Sequence, residues 1–139
     1  MSRAISEQEM LPAVKRLFPA SRFTRHTEVP LASKRIDFCA LPKDHEEFPV
    51  AVELKVEKWR RALWQAITYR QVFPLAYVAI WHENAHRVDR DLFGMAGVGL
   101  ITVTKSGAEI VLEATRSPRY MLERMQSLMN WPEGEPQRG

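Results

Sequence analysis

The chain of 139 residues contains one cysteine, Cys39, and only six glycines. A single cysteine excludes an internal disulfide and a four-cysteine zinc site. Three of the glycines, Gly94, Gly97 and Gly99, lack the spacing of a nucleotide-binding loop. No apolar run reaches the length of a membrane span, and residues 1–7 lack the apolar core of a secretion signal. These absences predict a cytoplasmic protein with no membrane partner.

The overall composition is that of an ordinary globular domain. Hydrophobic residues make up 45% of the chain and charged residues 27%, which is enough apolar material for one core. We find no repeat, linker or low-complexity block, and therefore expect a single domain over residues 1–130 followed by a polar tail at 131–139. The net charge of +3 favours a nucleic-acid partner only weakly.

Hydrophobic periodicity predicts ten elements along the chain. Ser6 and Glu9 form a capping-box pattern at the start of the first helix, in which Pro12 is tolerated if it falls in the first turn. The clearest helix ends at Pro74. This order predicts an α/β fold with a mixed central sheet flanked by helices. The elements are a helix at 6–18, two strands within 22–41 separated near 30–33, a strand at 48–56, a helix at 57–73, a strand at 75–81, a short helix starting at Asn84 and running over 84–93, a hairpin over 98–113 and a helix at 118–129.

Two acidic residues lie on neighbouring predicted strands. Alternation places Ile36, Phe38 and Ala40 on one face of their strand, and Arg35, Asp37 and Cys39 on the other. In the next strand, Glu53 and Lys55 share a face opposite to Val52 and Leu54. Asp37, Glu53 and Lys55 can therefore meet on one side of the sheet.

This combination suits the hydrolysis of a phosphodiester bond. Mg²⁺ prefers oxygen ligands and retains several waters, so Asp37, Glu53 and the backbone carbonyl of Leu54 are sufficient protein ligands. Mn²⁺ can substitute for it. Lys55 would orient or deprotonate the attacking water, or offset negative charge in the transition state. Without the neighbouring Asp37, a lone Glu-x-Lys pattern would more simply be a solvent-facing strand end.

At these residues the chain resembles the PD-(D/E)xK nuclease superfamily. Asp37 corresponds to the motif aspartate and Glu53-Leu54-Lys55 to its (D/E)xK, while Gln65 and Tyr69 match the QxxxY element of the RecB-like branch. The resemblance implies a restriction-endonuclease-like α-β-β-β-α-β core, Mg²⁺-dependent hydrolysis and a DNA substrate. It also implies that Gln65 and Tyr69 support the catalytic site.

An additional acidic metal ligand is frequent in this superfamily. Glu7, Glu9 and Glu28 are the candidates, and we select Glu28 because it ends the predicted strand before Asp37. The motif has Ile36 where proline is usual, which is a common variation.

Basic residues crowd around this region, where a DNA backbone would have to lie. Any sequence specificity would come from an accessory subunit or from a DNA structure, and a homodimer would let two sites cut two strands. The alternative function is a nuclease-like module that binds DNA or protein without cutting it. The predicted DNA contacts are Arg35, Lys58, Arg60, Arg61 and Arg70.

A second motif, His82-Glu83-Asn84-Ala85-His86, spells the HExxH pattern of zinc peptidases. Its histidines would have to share one face of a helix. His82 directly follows a predicted strand and Asn84 resembles a helix cap, so the setting disfavours a peptidase. Trp64 lies off the apolar side of its predicted helix, and we expect this tryptophan to contact a partner.

Overall fold

The computed structural model describes residues 5–117, in which a six-stranded mixed sheet is flanked by helices on both faces. The predicted fold class is confirmed, including the α-β-β-β-α-β order of the core. The elements are α1 Glu7–Leu17, β1 Phe23–Leu31, β2 Lys34–Pro42, β3 Val50–Lys55, α2 Trp59–Tyr69, β4 Leu75–Trp81, a 3₁₀ helix His82–Arg87, α3 Arg90–Ala96, β5 Gly99–Val103 and β6 Ala108–Leu112.

The strands lie in the sheet in chain order, from β1 to β6. β1, β2 and β3 pair antiparallel, β3, β4 and β5 pair parallel, and β6 returns antiparallel beside β5. The two parallel connections carry α2 and α3, which pack on the same face of the sheet. α1 covers the opposite face.

Two apolar cores result from this layering, one beneath each helical layer. The core under α2 and α3 includes Tyr69, Phe73 and Phe93. The core under α1 includes Met10 and Phe38. These five side chains are fully buried, and burial of a large apolar side chain stabilises a fold by about 1.5–3 kcal/mol. The sheet therefore lies between two apolar layers. A polar site forms along the ends of its strands.

The capping box predicted at the first helix is confirmed. The Ser6 hydroxyl accepts from the Glu9 amide at 3.3 Å, and the Ser6 amide donates to the Glu9 carboxylate at 2.9 Å. Pro12, however, lies in the helix interior and not in the first turn. Its missing N–H leaves the carbonyl of Gln8 without the usual helical donor, and both residues are exposed, so water can replace it.

The predicted helix over 84–93 is wrong in its bounds. Residues 82–87 form a 3₁₀ helix, and α3 begins only after Asp89, whose carboxylate accepts from the amides of Asp91 and Leu92 at 3.1 and 3.2 Å. Asp89 is thus the cap, and not Asn84. α3 ends at Gly97, which adopts a left-handed backbone with φ 76°.

The predicted strand face of Ile36 is also wrong. Phe38 and Ala40 share the core under α1, in agreement with the predicted face, but Ile36 packs with Cys39 in the core under α2. The register pairs Thr27 with Phe38 and then Val29 with Ile36, which places Glu28 across from Asp37. Glu28 has a left-handed backbone, φ 54°, and breaks the regular pleat at this point.

The remaining helix and strand predictions agree with the described elements within a few residues, although α2 ends at Tyr69 and does not extend to residue 73. The helix predicted at 118–129, the end of the proposed domain at 130 and the tail at 131–139 lie outside the described residues. Within 5–117, no helix has both the length and the apolar character needed to cross a membrane.

Candidate functional site

Asp37 and Glu53 converge at the point where β2 and β3 stop pairing. The register of these strands ends at Phe38 and Val52, one residue short of the two carboxylates. The carboxylate of Asp37 accepts from the backbone amide of Leu54 at 2.9 Å, so it takes the place of a strand partner. Each acidic side chain belongs to a well-packed strand, and its position is therefore fixed by the sheet.

Both carboxylates are harder to ionise than free acids. Burial raises the pKa of Glu53 to about 7; the Tyr69 hydroxyl opposes this shift, and the charge of Asp37 adds to it. Burial likewise raises the pKa of Asp37, against the hydrogen bond from Leu54. The contact between the two groups favours ionisation of Asp37 and opposes that of Glu53.

Tyr69 holds Glu53 from the helical layer. The last residue of α2, it is fully buried, and its hydroxyl lies 2.5 Å from the Glu53 carboxylate and 3.2 Å from the backbone carbonyl of Arg35. Burial, together with the nearby charge of Glu53, raises the pKa of Tyr69, so the phenol remains a hydrogen-bond donor. The helix thereby ties β2 and β3 together at the carboxylate pair.

Lys55 ends β3 and is half-buried, with its amine 3.7 Å from the carboxylate of Glu7 in the first turn of α1. Its positive charge favours ionisation of Glu53, whereas the charges of Glu7 and Glu28 disfavour that of Asp37. Glu7 therefore lies beside the site. The sequence indicated it only as one of three candidates for the additional metal ligand. The capping box fixes Glu7 at the start of α1, but only the packing of α1 brings it to Lys55.

Glu28, selected as the additional metal ligand, does not complete a cluster of acidic groups. Among residues 5–117, no three histidine, cysteine, aspartate or glutamate side chains are arranged to hold a metal ion. Glu28 acts on Asp37 through its charge. The predicted Leu54 ligand contributes its amide to Asp37, and no contact of its carbonyl with the site is seen.

Gln65, Arg35 and Arg70 lie in three different environments. Gln65 accepts from the amine of Lys34 at 3.3 Å and does not contact the carboxylates. Arg35 is exposed at the start of β2. Arg70, in contrast, packs against Gly97 and donates to the carbonyl of Thr115 at 3.1 Å. The orientation of α2 turns this side chain toward the end of α3, so Arg70 also has a structural role.

The other predicted contacts gather at the start of α2. Lys58, Arg60 and Arg61 are exposed and line a cavity of about 400 Å³ together with Arg87 of the 3₁₀ helix. The guanidinium of Arg60 stacks on the Trp59 ring, 4.5 Å from its centroid. Arg87 was not predicted as a DNA contact, because it is distant from α2 in sequence and meets these residues only in the folded structure.

The HExxH pattern does not meet the geometric requirement of a zinc site. His82 and His86 lie in a 3₁₀ helix, which has about three residues per turn, so a four-residue step rotates the second side chain by about 120°. Both histidines are exposed, and the ring of His82 packs against Trp81 at 4.6 Å. Asn84 instead donates to the carbonyl of Val56 at 2.7 Å, which anchors this segment beside Lys55.

The carboxylate pair fits a hard divalent cation. Both ligating side chains present oxygen, and Mg²⁺ is commonly held by one or two carboxylates while it retains waters and substrate phosphates. Glu53 is only 8% exposed, and a buried carboxylate pair needs a compensating positive charge when both groups ionise. A bound cation would provide that charge.

Comparisons with known proteins support the fold. No protein family profile matches this chain, and no curated protein matches it either. Its structure is similar to that of the SPO1766 protein of unknown function from Silicibacter pomeroyi, with a TM-score of 0.67 and 19% sequence identity over 93% of this chain and 86% of that one. SfsA of Pyrococcus furiosus, solved in complex with Ca²⁺, matches with a TM-score of 0.36 and 14% identity over 78% of this chain and 59% of the other.

Proposed function

We propose that the protein is a Mg²⁺-dependent nuclease that hydrolyses phosphodiester bonds in DNA, and that it belongs to the PD-(D/E)xK superfamily. The observation that carries this proposal is the Asp37–Glu53 pair at the ends of two adjacent strands, with Lys55 two residues beyond Glu53. Buried carboxylates with strongly raised pKa values, grouped with a lysine, are typical of functional sites.

In this proposal Asp37 and Glu53 hold the metal. The Leu54 amide and the Tyr69 hydroxyl orient one carboxylate each, so the pair is positioned before the metal arrives. When bound, Mg²⁺ would polarise the phosphate and lower the pKa of a water molecule. Mn²⁺, with the same preference for oxygen ligands, would substitute for Mg²⁺.

Lys55 acts at the reacting end of the site. Its amine can position the attacking water, accept its proton or offset charge on the phosphate. Glu7 lies 3.7 Å from this amine and restrains it near the end of β3. Arg61 and the other exposed cations at the start of α2 attract the DNA backbone, because clustered positive charge binds phosphates without regard to sequence.

The direct test is incubation of the purified protein with linear, circular and single-stranded DNA, with and without Mg²⁺. Asp37→Asn keeps an acceptor for the Leu54 amide but removes the charge, and Lys55→Ala removes the amine. Each variant is expected to lose at least 100-fold in cleavage rate while remaining folded by circular dichroism.

Two matched controls lie in the exposed loop after β2, at the opposite end of the strands. Asp44→Asn and Lys43→Ala remove the same charges there and should cleave at the wild-type rate. Mg²⁺-dependent cleavage that survives in both site variants would contradict the proposal. DNA binding with no measurable Mg²⁺ affinity would instead identify a non-catalytic module. A homodimer would bring one site to each of two DNA strands. Light scattering in the presence of DNA can measure whether the protein dimerises.

A further inference from the structure

Trp64 is an exposed aromatic residue at the centre of the outward face of α2. Its side chain is 70% exposed, although a residue of this size is usually at least half-buried. Arg60 and Arg61 precede it by four and three residues and are its neighbours on the helix surface. The buried residues of α2, including Trp59 and Tyr69, lie on the opposite side of the helix. The sheet therefore packs without Trp64, whose indole remains free for a ligand.

The cations beside Trp64 have no acidic partners. Among residues 5–117, no carboxylate forms an ion pair with Lys58, Arg60, Arg61 or Arg87. Of the described residues that line this cavity, only Glu57 is acidic. A neighbouring cavity of about 490 Å³ instead combines two aspartates with one arginine and one histidine. The surface beside Trp64 is thus the one whose charge suits an anion.

This basic cavity lies close to the carboxylate site. Lys58 follows Lys55 by three residues, which span at most about 11 Å of chain. Asn84 ties the 3₁₀ helix that carries Arg87 to the carbonyl of Val56, so both sides of the cavity are anchored at the end of β3. One nucleic-acid strand can therefore contact the cavity and the carboxylates at the same time.

We propose that Trp64 and the basic cavity bind an unpaired DNA strand, with a base stacked on the indole and its phosphates on the adjacent cations. This inference rests on the proposed nuclease function and specifies its substrate class. An aromatic platform beside a positively charged groove is the usual arrangement for single strands, since every unpaired base offers a face for stacking. In a duplex those faces are covered by neighbouring bases.

The binding test uses fluorescently labelled oligo(dT) and a duplex of equal length, measured by anisotropy in EDTA so that no cleavage occurs. Trp64→Ala is expected to weaken oligo(dT) binding about 5- to 150-fold, the range that corresponds to loss of one base–aromatic stack. Its effect on the duplex should be below about twofold. Trp64→Phe should retain most of the affinity, because phenylalanine also stacks.

Salt dependence separates the two kinds of contact. The Arg61→Ala/Arg87→Ala double variant should lower the slope of log affinity against log salt by about 1.4, because each phosphate contact on a single strand contributes about 0.7. Trp64→Ala should leave that slope unchanged. The controls are Met95→Ala, which removes another exposed apolar side chain, and Arg16→Ala, which removes an exposed cation near the far end of α1.

The inference is overturned if Trp64→Ala binds oligo(dT) within twofold of the wild type, or if it weakens duplex binding equally. A change in oligomeric state with unchanged oligo(dT) binding would assign Trp64 to a protein interface and also overturn it. Because the test needs no metal, Trp64-dependent binding without Mg²⁺-dependent cleavage would support the strand-binding surface and refute the hydrolase. Mg²⁺-dependent cleavage without Trp64-dependent binding would refute the strand-binding surface alone.

Discussion

Glu53→Gln is the substitution that tests the charge state of the site most directly. Glutamine has nearly the shape of glutamate and can still accept a hydrogen bond from Tyr69, but it cannot ionise. In the wild type, burial raises the pKa of Glu53 from 4.5 to about 7. That rise corresponds to about 3 kcal/mol of free energy between the two protonation states.

The sign of the effect follows from proton binding. Between pH 4.5 and pH 7 the folded state binds more protons at Glu53 than the unfolded state, so the free energy of unfolding falls as pH rises. The contribution is fully present below pH 4.5 and is lost above pH 7. The glutamine variant does not titrate at this position. It should match the wild type near pH 4.5 and exceed it by up to about 3 kcal/mol near pH 8.

Urea unfolding in EDTA at intervals from pH 4.5 to pH 8.5 measures this difference. Saturating Mg²⁺ at pH 8 should then raise the wild-type unfolding free energy by about 2.7 kcal/mol at 100 times its dissociation constant, and leave Glu53→Gln nearly unchanged. A stability difference that is independent of pH would refute the raised pKa of Glu53. An equal Mg²⁺ effect on both proteins would place the metal elsewhere.

Three further substitutions test the surroundings of the site and the fold. Tyr69→Phe should lower stability by about 1–3 kcal/mol in urea unfolding, because Glu53 stays buried without this donor. In the wild type this hydrogen bond favours the ionised form of Glu53. Its loss should therefore shift Mg²⁺ binding, measured by calorimetry, to higher pH. Gly99→Ala should cost about 1–3 kcal/mol in the same assay, because its Cβ would lie 2.3 Å from the ring of Tyr77. Asp89→Ala should lower the thermal midpoint through loss of about 1 kcal/mol of capping of α3. Unchanged stability in any of the three would contradict the contact concerned.

The sequence predicted best where local pattern and tertiary packing agree. β4, Leu75–Trp81, was predicted with its observed bounds, because an unbroken apolar run between Pro74 and a polar segment fits only a buried strand. The meeting of Asp37 and Glu53 was also predictable, since strand alternation is a local property. The pairing of two neighbouring strands is enough to bring these carboxylates together.

Predictions failed where long-range packing decides the outcome. The left-handed backbone of Glu28 is not visible in a run of strand-forming residues, so the switch in the face of Ile36 was missed. The contact of Arg70 with Gly97 was not foreseen, because it depends on the packing of α2 against α3. The pairing of Glu7 with Lys55 depends on the orientation of α1, which no local pattern specifies.

The energetics of the Asp37–Glu53 pair favour a functional over a structural role. Like charges directly opposite each other on neighbouring strands are destabilising, and a buried pair adds a desolvation cost. The loss of about 3 kcal/mol above pH 7 is large beside a typical total stability of 5–15 kcal/mol. Apolar residues such as Cys39 and Ala51 fill the same layer without this cost. The hydrogen bonds from Leu54 and Tyr69 hold the carboxylates in a fixed arrangement, as the proposed cation site requires.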